Sequence, residues 1–231
     1  MVTKNQFMRR AHRAVMCKFC IRQWRLIALL IVAAIWIIVF PVWSNWVTKS
    51  PLDAELSLFP PGSIREEIEI RIPERYRMEL KFERDGTEFN QLKKVIGASN
   101  ICLPGEECST GVPVPVRWSL TNSESGAVVS SGLVETANAN GWSRAHVSRF
   151  VDLVQVQPGK YIFEADVTRP VPELADIRTR IVIELQPKGS TTWQVGAVWW
   201  GSMGYIFWAW PAGVYALVLL LWRAARWYRS G

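Results

Sequence analysis

The sequence predicts a membrane protein in which two transmembrane helices flank one mainly-β extracytoplasmic domain. That domain is read as an antiparallel, immunoglobulin-like β-sandwich with one short helix. Three observations predict this class. Two long blocks, residues 26–48 and 189–222, carry no charge. All twenty acidic residues fall between Asp53 and Glu184, and every charge outside that stretch is basic. Between the two blocks the dominant hydrophobic period is two, the period of a strand with one buried and one wet face.

Residues 1–25 form a basic tail with Lys4, Arg9, Arg10, Arg13, Lys18, Arg22 and Arg25 and no acid. Such tails stay in the cytoplasm. Phe7, Met8, Val15 and Phe19 give the tail an apolar side suited to a lipid surface. Cys17 and Cys20 have CxxC spacing. A zinc site needs two further ligands, and only His12 is near. A redox pair opens a helix in a thioredoxin-like fold, which this tail lacks. Palmitoylation near a membrane is a further option in a eukaryote. Reduced thiols in a basic tail are the expected reading.

Residues 26–47 are the first span. The 18 residues 26–43 are uncharged and reach about 27 Å as a helix, enough for a hydrocarbon core. Arg22 and Arg25 mark the inner edge, and Trp43 and Trp46 the outer. Pro41 falls where a helix can end at little cost. A cleaved signal needs small residues after the apolar run. Phe40, Pro41, Val42 and Trp43 stand there instead, so the span is read as an uncleaved anchor.

Residues 48–192 are expected to be the extracytoplasmic domain. They carry 17 basic and 20 acidic residues, a net of −3, whereas the two tails carry ten basic residues and no acid. The chain's net charge of +7 is therefore topogenic, and argues against a nucleic-acid partner. Ile68, Ile70 and Ile72 alternate with Glu69 and Arg71. Tyr76, Met78, Leu80 and Phe82 alternate with charged residues. The same period runs through Val112–Leu120 as Val112, Val114, Val116, Trp118 and Leu120, through Tyr161, Phe163, Ala165 and Val167, and through Ile177, Thr179, Ile181, Ile183 and Leu185. Weaker strands are expected near 127–134 and 143–154. Turns are marked by Pro60-Pro61-Gly62, Asp85-Gly86, Ser125-Gly126 and Pro158-Gly159. Seven or so strands at this spacing make a sandwich. Pro113 and Pro115 lack a backbone donor, which places them in an edge strand or at a strand's entry. Phe89, Leu92, Val95 and Ile96 have helical spacing, and Gly97 can cap that helix.

Cys102 and Cys108 bracket Leu-Pro-Gly-Glu-Glu. In an oxidising exterior they are expected to form a local disulfide. Glu106 and Glu107 make the loop acidic and are the candidate partner-binding residues.

Residues 193–222 hold a juxtamembrane segment and the second span, and 223–231 a basic cytoplasmic tail. The uncharged block 189–222 has 34 residues, about 50 Å as a helix and longer than a bilayer core. The sequence leaves the conformation of 193–201 open. Trp193, Trp199, Trp200, Tyr205, Phe207, Trp208 and Trp210 crowd its first half, as interfacial aromatics do. Pro211 is expected to kink the span, and Arg223 and Arg226 close it. Ala197 with Gly201, and Ala209 with Gly213, are small-residue pairs at helix-contact spacing. They point to packing against the first span or to a homo-oligomer through the second. No ionisable residue lies in either span, which argues against a transport pathway.

Catalysis finds little support. His146 is the one histidine outside the tail, so a Ser-His-Asp arrangement would have to use it, and no nucleophile-elbow motif exists. Glu66, Glu67, Glu69, Glu164 and Asp166 offer oxygens for a cation, but they sit among alternating apolar residues, as a wet strand face does. No catalytic residue, cofactor or metal is expected.

The ordered segments IPERYRMELKFE (72–83), LKKVIG (92–97), GVPVPVRWSL (111–120), VQPGKYIFEADV (156–167) and PVPELADIRTRIVIEL (170–185) resemble an uncharacterised bacterial envelope domain family, a domain of unknown function. The resemblance covers about 62–185. Its members are often small lipoproteins, and some are similar to immunity proteins for toxins delivered between bacteria. It implies a β-sandwich outside the inner membrane and carries over no catalytic residue. Two spans in place of a lipid anchor are this chain's departure.

The expected function is therefore non-enzymatic. Both termini are cytoplasmic, membrane lipid surrounds the spans, and the periplasmic domain binds a protein partner, in the sharpest version a toxin it neutralises. The alternative is an envelope structural or assembly subunit of a membrane complex.

Overall fold

The structure is a computed structural model and describes residues 4–84, 89–97, 110–186, 190 and 192–230. The elements are α1 (Lys4–Thr48), β1 (Leu52–Glu55), β2 (Ser63–Ile70), β3 (Glu74–Glu83), α2 (Phe89–Ile96), β4 (Val114–Asn122), β5 (Val128–Thr136), β6 (Ala139–Trp142), β7 (His146–Val156), β8 (Gly159–Val167), β9 (Thr179–Leu185), α3 (Trp193–Gly204) and α4 (Trp210–Ser230). They divide into two compact units, Met1–Trp46 with Gly196–Gly231, and Val47–Val195.

The strands form two antiparallel sheets, ordered β1-β9-β3-β7-β6 and β2-β8-β4-β5. Alternation decides what fills the space between them. Tyr76, Met78, Leu80 and Phe82 from β3 are buried. So are Val114, Val116, Trp118 and Leu120 from β4, and Tyr161, Phe163, Ala165 and Val167 from β8. Each Val, Leu, Met or Phe among them contributes about 1.5–3 kcal/mol when fully buried. Pro115 lies at the entry of β4, not on an edge strand. β4 is flanked by β5 and β8, but its pairing with β8 starts at Val116, so at Pro115 one side has no ladder to feed.

Strands β3 to β8 pair in the order of immunoglobulin strands B to F: β3-β7-β6 as B-E-D, and β8-β4-β5 as F-C-C′. Trp118 is buried on β4, and the Tyr161 hydroxyl near the start of β8 donates to the Gln157 carbonyl at 2.9 Å. Both features recur in immunoglobulin domains. The terminal strands differ. β2 lies on β8, where the last strand would, and β9 lies on β3, where the first would.

In the helical unit α1 runs unbroken from Lys4 to Thr48, so Pro41 is internal and does not end it. Ser44 Oγ donates to the Pro41 carbonyl at 3.1 Å. The segment 193–201 is helical, within α3. A π-helical turn, Tyr205–Ala209, follows α3 directly ahead of Pro211. A proline ring clashes with the carbonyl one turn back, and a wider turn accommodates it. The small residues are used inside the unit. A Cβ on Gly201 would overlap the Phe40 ring, and one on Gly213 would lie 3.5 Å from Ala33. Phe40 also stacks on Trp36 with centroids 5.3 Å apart. Arg223 Nη1 donates to Gln23 Oε1.

Two stretches, Gln23–Thr48 and Trp193–Arg229, are long and apolar enough to cross a membrane, with mean hydropathy 2.8 and 1.6. They do not resemble the buried helices of a soluble core. Ile31, Val32, Ile38, Val42, Val218 and Leu221 are all exposed.

Candidate functional site

The corner where α2 meets the entry of β4 is organised by one side chain. Arg149 projects from β7 and is fully buried. Its Nε donates to the Ile96 carbonyl at 2.9 Å, and its Nη1 to the carbonyls of Val112 at 2.7 Å and Thr136 at 3.0 Å. Its Nη2 donates to Ile96 at 2.6 Å and Val95 at 3.3 Å. Every acceptor is a backbone carbonyl. The two from Val95 and Ile96 are orphan acceptors at the C-terminus of α2, where a helix is partly negative. The guanidinium also lies over the Phe82 ring, 5.2 Å from its centroid. Among the described residues no carboxylate pairs with it. Burial pushes its pKa down to about 10.

Two glycines complete the corner. Gly97 has φ 93°, which favours glycine, and a Cβ there would lie 2.6 Å from both Ala137 O and Gly111 N. A Cβ on Gly111 would overlap the Ile96 carbonyl and the Arg149 guanidinium. Gly111 N donates to Ala137 O at 3.0 Å and Val112 N to Val95 O at 2.8 Å. The chain that leaves at Gly97 thus returns at Gly111 against the same carbonyls. Residues 98–109 join these two points. Cys102, Glu106, Glu107 and Cys108, the expected disulfide and partner-binding residues, lie outside the described residues. Their segment is held at both ends by a corner that Arg149 ties together.

The sequence carried a signal for this residue. Val147, Arg149 and Val151 share one parity of β7, and both valines are buried. An arginine on an apolar parity needs buried acceptors.

A second polar cluster fixes the chain beyond β9. The buried Glu74 carboxylate accepts from the hydroxyls of Ser190 and Thr192, the latter at 2.7 Å, and from Arg75 N at 2.9 Å. Burial raises the Glu74 pKa, but these donors outweigh it, and the net direction is downward.

His146 meets Ser143, with Oγ and Nδ1 3.1 Å apart. The same Oγ accepts from the backbone of Ala145 at 3.2 Å and His146 at 3.0 Å. The serine therefore closes the β6–β7 turn, and among the described residues no carboxylate completes a triad. Four of the five carboxylates considered as cation ligands face arginine or lysine. Glu164 pairs with Arg65 at 3.2 Å, Glu67 with Lys160 at 3.7 Å, Glu69 with Arg71 at 3.7 Å, and Asp166 is gripped by Arg117 through two bonds of 3.0 Å. Among the described residues no cluster of three metal-ligating side chains occurs.

A family described as a domain of unknown function, DUF5625, matches residues 61–185. The chain belongs to this family. The DUF5625 match spans β2 to β9 and leaves out β1, which is added to the free edge of β9. The fold is also similar to the crystal structure of a protein from Sulfurospirillum deleyianum, at TM-score 0.48 and 15% identity over 59% of this chain and 97% of that one. No curated protein matches the chain.

Proposed function

We propose that the protein is a non-enzymatic inner-membrane protein whose DUF5625 domain stands in the periplasm and binds a protein partner through residues 98–109. The observation that carries this reading is the corner built on Arg149. A segment whose two flanking residues, Gly97 and Gly111, are fixed loses less conformational entropy on binding than one with free ends. Its acidic residues Glu106 and Glu107 favour a partner with a basic surface. The apolar, exposed sides of the helical unit support residence in a bilayer, and the basic flanks support cytoplasmic termini. In the sharpest form the partner is a toxin that acts at the membrane or in the periplasm, and occlusion of its surface neutralises it.

The test is crosslinking of the tagged full-length chain in native membranes with neighbouring gene products co-expressed. One basic, secreted protein is expected at near-equal amounts, lost on Glu106→Lys with Glu107→Lys and retained on His146→Ala. Growth in the presence of that protein should then depend on this chain. Recovery of a resident membrane complex that ignores both charge reversals would overturn the reading in favour of an assembly subunit.

A further inference from the structure

We propose that the inner end of α4 is a site for an anionic phospholipid, whose phosphate is held between Arg223 and Arg226. This rests on the reading that both apolar stretches cross a bilayer with their basic ends in the cytoplasm.

The helical unit lacks one sign of charge. Its residues, Met1–Trp46 and Gly196–Gly231, include ten lysines and arginines and no aspartate or glutamate. The unit's own side chains therefore supply no counter-ion to these cations. Arg223 donates through Nη1 to Gln23 on α1, which is 7% exposed. That uses one of the five donors of a guanidinium. Arg226 makes no hydrogen bond or ion pair among the described residues. The two arginines are three residues apart on one helix, so they are neighbours on its surface and can grip one anion.

The direction of Arg226 sets the depth of the site. Its guanidinium lies 4.8 Å from the centroid of the Trp222 ring. Trp222 is one turn back along α4, on the side of the span. The arginine thus leans toward the bilayer, whereas one at a helix end ordinarily reaches out to water. Tryptophan rings sit at the level of the lipid headgroups. A guanidinium stacked on Trp222 is therefore at the level of lipid phosphates.

What selects a lipid over a free phosphate is the surface below that point. Trp222, Val218 and Tyr215 precede Arg226 by four, eight and eleven residues, the spacing of one helix face. They are 53%, 55% and 62% exposed. A headgroup held at Arg226 lays its acyl chains along this apolar stripe, which a free phosphate would leave unused. A zwitterionic headgroup brings a cation of its own, so a net-anionic one offsets the arginines better.

Arg25 provides the internal comparison. It also stands at the inner edge, with its guanidinium 5.8 Å from the Trp24 ring. Yet it follows Gln23 by two residues, about 200° around α1, and so lies on the side away from α4. Diffuse attraction to an anionic bilayer would use Arg25 as much as Arg226. A site on α4 would not.

The experiment is native mass spectrometry of the full-length chain in mild detergent, titrated with phosphatidylglycerol or phosphatidylcholine of matched acyl chains. One phosphatidylglycerol should be retained in preference to phosphatidylcholine. Arg226→Gln and Arg223→Gln should each weaken that retention about fivefold. Arg226 bonds to nothing within the chain, so its variant tests the site without loosening the contact of Arg223 with Gln23. Arg25→Gln should leave retention unchanged, and excess inorganic phosphate should not displace the lipid. Equal retention of the two lipids, an equal loss from Arg25→Gln, or displacement by inorganic phosphate would overturn the proposal. Alkaline washing of native membranes separates this outcome from the reading beneath it. Release of the chain by the wash would remove the spans and the site together. A chain that stays in the membrane yet shows no lipid preference would remove the site alone.

Discussion

Two regions of the sandwich handle charge in opposite ways. On its outer faces, arginines and carboxylates meet in water: Arg65 with Glu164, Arg117 with Asp166, Arg169 with Glu135, and Arg178 with Glu83. At the corner where α2 meets the entry of β4, Arg149 has no counter-ion among the described residues, and it is fully buried among carbonyls. An exposed ion pair exchanges one hydrated arrangement for another and gains little. A buried guanidinium has no water to fall back on, so its acceptors must be held in place. The difference teaches that the energetic weight of an arginine here follows its exclusion from water, not the presence of an opposite charge.

The sharpest break of this comparison is Arg149→Ala. It takes the guanidinium from the carbonyls of Ile96, Val112 and Thr136, leaves Val95 with its bond from Val112 N alone, and leaves a void beside Phe82. The expected loss is about 3–5 kcal/mol, measured by denaturant unfolding of the full chain in detergent. Arg149→Lys keeps the charge but replaces a planar fork by a point donor, and should recover less than half of that loss. The pH dependence has a defined sign. Below about pH 10 the native arginine is charged and its burial is unfavourable. From there up to the ordinary arginine range the unfolded chain holds more protons than the native one, so stability rises with pH in that window only. At neutral pH the corner should be insensitive to titration. A full recovery by lysine would show that charge alone, rather than the fork, holds the corner.

Glu74 is the intermediate case, a buried carboxylate held, among the described residues, by the neutral hydroxyls of Ser190 and Thr192. Its pKa is lowered, so the stability it contributes is present above the ordinary carboxylate range and is lost as pH falls through the folded value. Glu74→Gln should cost about 1 kcal/mol at neutral pH and remove that acid dependence. Protease cleavage at 187–192 reads the effect directly. It should rise at acid pH in the parent chain and be high at all pH values in the variant. A parent cleavage rate that stays flat on acidification would remove Glu74 as the latch.

The same contrast explains what the sequence disclosed. Strict alternation, as in Tyr76 to Phe82 or Val114 to Leu120, marks strands because solvent and core select side chains residue by residue. Strands β1 and β6, four residues each, are too short to show a period, and the reading missed both. The reading of 143–154 began early because β7 starts at His146, and its buried run Val147-Ser148-Arg149 breaks the alternation. Arg149 was visible only as an arginine on an apolar parity. Its acceptors lie 13 to 54 residues away and carry no side-chain signature, since they are backbone carbonyls. Glu74 is harder still. Its partners Ser190 and Thr192 are 116 and 118 residues distant and belong to residue types that fill any polar linker. Glu106 and Glu107 were singled out by composition and lie outside the described residues, whereas the corner at Gly97 and Gly111 depends on tertiary geometry.

Arg117→Ala is the smallest expected effect and the strictest control. Its bond to Asp166 is bidentate, with two N···O distances of 3.0 Å, and raises the Arg117 pKa. By geometry alone it is the best-formed ion pair on the outer face of its sheet. Yet the Arg117 side chain is 66% exposed, so water replaces what the carboxylate supplied. The melting temperature of Arg117→Ala should fall within the scatter of the parent chain, and added salt should leave both unchanged. If Arg117→Ala instead melted as early as Arg149→Ala, bond geometry rather than burial would set the energy of arginine in this domain. The contrast between corner and face would then be void.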